Sequence, residues 1–181
     1  MKRLILTGAP GAGKTVLIRE LERLGYPIVE EAATDVIALE QARGNARPHE
    51  RPQFIEKITE LQLLRQQVPA AGPLQFHDRS LFCTAALAEF LGLPIPPLLD
   101  RAILASRELF EPRVFFIRLL GFIQKTEARQ IGLEESMRFE TLHERVYRHY
   151  GFDLEFIQPA DIDARIGAIL AFIRRSSAGP E

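Results

Sequence analysis

Apolar residues follow two spacings in turn along the chain. Short apolar runs at Leu4-Ile5-Leu6, Pro27-Ile28-Val29, Leu74 to Asp78, Arg113 to Arg118 and Asp153 to Ile157 read as strands. The fourth is apolar at nearly every position, as a strand covered on both faces should be. Between the strands the spacing becomes helical. Leu17, Leu21 and Leu24 form one stripe, and Gly25 follows where a C-terminal cap belongs. A second helix is expected from about Ala32 to Ala42, and a third carries Phe54, Ile58, Leu61, Leu64 and Val68 on one face. Further helices are expected over Ser80 to Leu91, with Ser80 as N-cap, and up to about Phe110. Glu134 to Tyr150 carries Phe139, Leu142, Val146 and Tyr150, stopped by Gly151. The closing helix carries Ile162, Ile166, Ile169 and Ile173. Strands alternating with helices predict an α/β fold: a doubly wound, mainly parallel five-stranded sheet with helices on both faces. In such a sheet the carboxyl ends of the strands line the ligand crevice.

Between the first strand and the first helix stands Gly8-Ala9-Pro10-Gly11-Ala12-Gly13-Lys14-Thr15, which fits G-x-x-x-x-G-K-[ST] with the required strand before and helix after. A loop that wraps backbone N–H groups around phosphates must turn sharply and approach closely, and Gly8, Gly11 and Gly13 carry no Cβ to obstruct it. Lys14 is placed as a point charge on the β- and γ-phosphates. Thr15 offers a hard hydroxyl oxygen to a phosphate-bound Mg²⁺. The expected nucleotide-binding set is Gly8, Pro10, Gly11, Ala12, Gly13, Lys14, Thr15 and Val16.

The other strand ends add candidates. Glu30-Glu31 follows the second strand, and either a solvated turn or a site carboxylate explains it; Glu31 is the candidate. The third strand ends in Asp78, placed to hold a magnesium shell through water, and Arg79 follows where hydrolytic machines of the AAA type carry a water-polarising glutamate. A cation there suits a transferring or accepting phosphate, the alternative being a local ion pair with Asp78. After the fourth strand, Gly121 to Gly132 holds Lys125, Thr126, Glu127 and Arg129 and reads either as a basic flap over the phosphates or as a solvated loop. The arginines of residues 43–52 likewise read as phosphate contacts or, preferably, as a solvated loop. Cys83 is expected as a small buried apolar residue. His143 and His149, six apart, do not share a helical face as a zinc pair would, and are expected at the surface.

Composition narrows the class. With 181 residues and 46% hydrophobic positions, the chain suits one domain with a sizeable core, expected over residues 1–175 with a lid at about 121–132 and a polar tail at 176–181. A net charge of −1 argues against a nucleic-acid-binding stripe. No apolar run approaches the ~20 residues that cross a bilayer, and Met1-Lys2-Arg3 leads directly into the first strand, so neither membrane nor secretory signal is expected. A single cysteine is compatible with a reducing cytoplasm.

The phosphate loop, the Gly25-Tyr26-Pro27-Ile28-Val29-Glu30-Glu31-Ala32-Ala33 stretch, Phe76-His77-Asp78-Arg79-Ser80 and Thr126-Glu127-Ala128-Arg129 together resemble the P-loop small-molecule kinases. Among them the chain is similar to a bacterial group labelled AAA-type ATPases, whose fold is shared with the ribosylnicotinamide kinase domain, and to deoxynucleoside kinases. The resemblance implies a P-loop NTPase fold with kinase-like strand order 2-3-1-4-5 and a lid. It implies Glu31 as the base on the acceptor hydroxyl, Asp78 as the magnesium partner, Arg79 as a phosphate clamp, and Lys14 and Arg129 on the moving phosphoryl group. Thr34 and Gln130 depart from the pattern, standing where Arg and a second basic residue are common. In this class the loop after the last strand, here Gln158-Pro159, often borders the adenine. The expected activity is ATP- and Mg²⁺-dependent phosphoryl transfer to an unidentified small acceptor, nucleoside- or riboside-like. The alternative is a nucleotide-dependent ATPase or switch that signals to a protein partner. A guanine-specific switch is disfavoured because no Asn-Lys-x-Asp stretch occurs.

Overall fold

The computed structural model describes residues 1–69, 72–120 and 132–177, with side chains to 175. Residues 121–131 of the expected lid, with Lys125, Thr126, Glu127, Arg129 and Gln130, lie outside the described residues, as do residues 178–181 of the expected tail.

The strands are β1 (Lys2–Thr7), β2 (Ile28–Val29), β3 (Leu74–Asp78), β4 (Arg113–Ile117) and β5 (Asp153–Ile157). They form one sheet in the order β2-β3-β1-β4-β5, the expected kinase-like order. Every pairing is parallel, so all five strands end at the same edge. The helices are α1 (Lys14–Arg23), α2 (Ala33–Ala42), α3 (Phe54–Gln66), α4 (Leu81–Phe90), α5 (Pro97–Ser106), α6 (Leu133–His149) and α7 (Ile162–Ser177). α7 runs helically to Ser177, past the expected start of the tail.

Two apolar clusters occupy the two faces of the sheet, as the period-2 alternation of a strand requires. Leu4, Leu6, Phe76 and Phe115 pack with Leu17 and Leu21 of α1 and Ile166 and Ile169 of α7. Ile5 and Val114 point the other way, toward residues of α2 to α6. The centre of that second layer is aromatic: the Phe82 ring meets Phe110, Tyr147, Tyr150 and Phe152 at centroid separations of 4.8–6.4 Å.

α3 departs from its expected face. Its buried residues are Phe54, Ile55, Ile58, Thr59, Gln62 and Gln66, while Leu64 and Val68 are 63% and 56% exposed. The C-terminal half of α3 turns Arg65 toward the loop after β2, where it donates to the Glu31 carbonyl and pairs with Asp35. Serving a polar loop on one side leaves Leu64 outside. α4 is likewise buried beyond a single stripe, from Leu81 through Ala86, because it is covered by α3, α5 and α6.

Candidate functional site

The phosphate loop leaves β1 at Gly8, whose φ of +135° is open to glycine and strained for other residues. A Cβ there would stand 2.3 Å from the Ile117 carbonyl oxygen at the end of β4, so Gly8 is required for close approach as well as for conformation. Gly11 and Gly13 also take positive φ, and Gly13 opens α1. Ala9 and Ala12 are buried beneath the loop, Pro10 is half-buried, and Val16 faces solvent beyond it.

Lys14, the first residue of α1, is buried, and its Nζ donates to the Ala9 carbonyl at 2.8 Å. Burial, aided by the nearby Arg79 charge, lowers its pKa to about 7. A buried ammonium whose hydrogen bond goes to a neutral carbonyl is matched to an anionic ligand, and polyphosphate supplies one.

β3 places Asp78 opposite Leu6 of β1, beside the loop. Asp78 is 6% exposed and its Oδ1 has no hydrogen-bond partner. Burial raises its pKa against the lowering pull of Lys14 and Arg79. The orphaned Asp78 carboxylate oxygen and the hydroxyl of exposed Thr15 are both hard oxygen donors. They fit magnesium, which keeps several waters and needs few protein ligands.

Arg79 has the only positive φ among the described non-glycine residues, +67°. Its N–H bonds to Leu6 O at 2.9 Å, which holds the turn beside the phosphate loop. Such a left-handed residue carries strain of order 1–3 kcal/mol, characteristic of functional sites. Its side chain reaches Glu31 and His143. Nε lies 3.5 Å from Glu31 Oε2, and Nη1 lies 3.4 Å from His143 Nε2. Glu31 in turn accepts at Oε1 from the Thr34 N–H, 3.2 Å away, and from the Thr34 hydroxyl. The pair that Arg79 makes thus runs across two strand ends to Glu31, and the alternative of a local ion pair with Asp78 is not the one formed. Thr34, a departure from the related pattern, holds the Glu31 carboxylate in place. Glu30 faces solvent and pairs with Arg19. Arg43 and Arg47 are taken by Glu40 and Glu50, in keeping with a solvated loop.

His143 is not at the surface as expected. It is fully buried; its Nδ1–H donates to Phe139 O at 2.9 Å and Nε2 accepts from Arg79. Burial, and behind it the Arg79 charge, holds its pKa well below the usual value, so the ring is neutral. Its i, i+4 spacing from both Phe139 and Tyr147 was the available signal. Ser80 stands at the N-cap of α4, but its hydroxyl lies 2.7 Å from the Tyr147 hydroxyl instead of capping the helix. Cys83 is buried as expected, and its Sγ lies 2.9 Å from Thr7 Oγ1 and 3.1 Å from the Tyr147 hydroxyl. These contacts run from the end of β1 to α6 beneath the loop.

Arg65 and Arg165 also escaped sequence reasoning. Arg65 braces the Glu31 backbone. Arg165, on α7, reaches the phosphate loop itself, where Nη1 donates to Ala12 O at 2.9 Å and Nη2 to Arg118 O at 3.1 Å. Its signal was i+3 spacing from Ile162 and i, i+4 spacing to Ile169 on the apolar stripe.

Among solved structures the chain is similar to a deoxyadenosine kinase from M. mycoides with the products dCMP and a flexible dCDP bound. The TM-score is 0.66 at 16% identity, covering 96% of this chain and 99% of that one. The same enzyme with bound dATP matches with a TM-score of 0.62 at 18% identity, covering 96% and 100% of the two chains. A NadR protein in complex with NAD and AMP-PNP matches with a TM-score of 0.69 at 18% identity; the likeness covers 99% of this chain but 51% of NadR. At these identities the likeness establishes the fold, a P-loop kinase-like sheet. No curated protein matches by sequence. A family model described as AAA domain matches residues 3–165. From β1 through the first turn of α7, this protein belongs to the AAA domain family.

Proposed function

We propose that the protein is an ATP- and Mg²⁺-dependent phosphotransferase acting on a small hydroxyl-bearing acceptor, nucleoside- or riboside-like. The observation that carries this reading is the Glu31–Arg79 pair, 3.5 Å apart, on the strand edge that also bears Lys14 and Asp78. Phosphoryl transfer asks mostly for positioning and charge neutralisation, and these residues supply both. The backbone amides of Gly11 to Thr15 and the Lys14 ammonium bind the phosphates. Thr15 and Asp78 would hold Mg²⁺, which would supply charge neutralisation to the nucleotide phosphates. Arg79 is set to take a phosphate oxygen, and Glu31 to accept the proton of the acceptor hydroxyl. Arg129, within the expected lid, would add a second cation. The kinase-like neighbours, solved with bound nucleotides and nucleotide analogues, support the class.

A second reading, an ATPase or switch serving a protein partner, is favoured by one observation. Arg79 and Thr34 already engage both Glu31 oxygens, so an acceptor hydroxyl reaches the carboxylate only once that contact opens.

The experiment is ADP production from Mg-ATP, alone and with a panel of nucleosides, nucleotides, ribosides and sugars, with products weighed by mass spectrometry. An acceptor that gains one phosphate and speeds ADP release is the expected result. Hydrolysis indifferent to every compound would replace the kinase reading with the switch.

A further inference from the structure

Arg165 is 4% exposed and sits in the first turn of α7, yet its guanidinium is bound by carbonyl oxygens of two other elements, Ala12 in the phosphate loop and Arg118 after β4. Its Nε has no partner. Burial lowers its pKa, with no carboxylate among the described residues to offset that cost. The neighbouring Asp161 carboxylate is occupied in capping α7, accepting from the Ala164 N–H at 2.8 Å. A buried cation held only by neutral dipoles is expensive unless an anion arrives to balance it.

Its position relative to the loop is specific. Nη1 would lie 3.1 Å from a Cβ on Gly13, so Arg165 packs against the Ala12–Gly13 peptide from one side. In a trans peptide the C=O and the following N–H point in opposite directions. Drawing the Ala12 carbonyl toward the guanidinium therefore directs the Gly13 N–H away from Arg165. The same hydrogen bond polarises that N–H and adds to the positive end of the α1 dipole, which starts at Gly13. Arg118 O ties this arrangement to the end of β4.

We propose that Arg165 is a positioning residue for the nucleotide phosphates: through the Ala12 carbonyl it aims and polarises the Gly13 N–H, and it holds a buried positive charge that bound polyphosphate balances. The proposal rests on the phosphate-loop reading. It adds a residue 153 positions away in sequence, on the helix that follows the last strand, to the groups that prepare the loop. Arg165 acts through the peptide and need not touch the ligand.

The test measures Mg-ADP affinity by calorimetry for the wild type, Arg165→Gln, Arg165→Lys and Lys14→Ala, with circular dichroism showing that each is folded at the working temperature. Gln keeps an amide NH2 donor but no charge, and should bind about tenfold more weakly or worse, the scale of a lost charge-assisted hydrogen bond. Lys keeps the charge and should stay within about threefold of wild type. Wild-type affinity in folded Arg165→Gln, or equal weakness in Gln and Lys, would overturn the proposal. If Gln does not fold, Arg165→Met takes its place with the same expected weakening. Failure of both neutral variants to fold would make Arg165 a purely structural residue and overturn it too. Failure of the phosphate-loop reading looks different: Lys14→Ala and the wild type would then show the same Mg-ADP affinity, or neither would bind.

Discussion

Arg79 Nε stands 3.5 Å from Glu31 Oε2, joining the carboxyl ends of β3 and β2 beside the phosphate loop. Neither residue is free to move far. A φ of +67° fixes where the arginine leaves the backbone, and Thr34 fixes the carboxylate. His143, neutral and anchored to Phe139 O, supports Arg79 from the far side.

Arg79→Lys tests whether the planar fork matters beyond its charge. An ammonium cannot span Glu31 and His143 together, so a transferring phosphate would lose an oriented donor. The expected loss in kcat is about a hundredfold, the scale seen when one charge-stabilising donor is removed, with Mg-ADP affinity nearly unchanged. Steady-state kinetics together with nucleotide titration give both numbers; an unchanged kcat would remove Arg79 from the transfer step.

Glu31→Gln keeps the shape and the contact to Thr34 but cannot take a proton. Acceptor-dependent turnover should fall by about two orders of magnitude or more, while ATP binding remains. A rate equal to wild type would leave Glu31 as a brace for Arg79 only.

Gly8 and Gly25 both take positive φ, yet their surroundings differ. A Cβ on Gly8 would stand 2.3 Å from the Ile117 carbonyl oxygen, whereas one on Gly25 meets nothing within 4 Å. Gly25→Ala should cost roughly 1 kcal/mol for its backbone alone, and Gly8→Ala about 3 kcal/mol or more, because β1 and β4 must also part. Urea unfolding of the two variants measures the difference, and equal losses would show that the approach of Gly8 to β4 is not constraining.

Two buried histidines set an acid limit on stability. Burial holds His77 down to about 3, and His143 is also well below the ordinary 6.5. Both folded values lie below the unfolded one, so the unfolded chain binds more protons as the pH drops. Their contribution is fully present above about pH 6.5 and is lost as the pH falls from there toward the folded values. Each histidine should add about 1.4 kcal/mol of destabilisation per pH unit in that window. Urea unfolding at pH 7.5 and pH 5 would measure it. His77→Gln should reduce the difference between the two pH values, and an unaltered difference would show that His77 does not carry it.

How far the site was legible depended on how local its physics is. The phosphate loop is contiguous: three glycines, a lysine and a threonine act within one turn, so their spacing alone carried the chemistry. Asp78 and Glu31 were legible one step further on, because parallel strands all end at one edge and an acid closing an apolar strand arrives there with them. The faces of α3 were misread, since Gln62 and Gln66 are buried by packing while Leu64 is not.

His143 and Arg165 mark the boundary. Each lies on the apolar side of an amphipathic helix, a pattern that announces burial but not the partner. Their partners, Arg79 and Ala12, are 64 and 153 residues away, and no local spacing reports which strand end a helix will cross. By itself the sequence determined the element order, the parallel sheet and the phosphate-binding turn, because periodicity, glycine conformation and strand direction are properties of short stretches. Only the tertiary structure decided that Arg79 faces Glu31 instead of Asp78, and that cations from α3 and α7 brace the loops. Those choices are made where separate helices pack against one sheet edge, and there the need to satisfy each buried charge selects the partner.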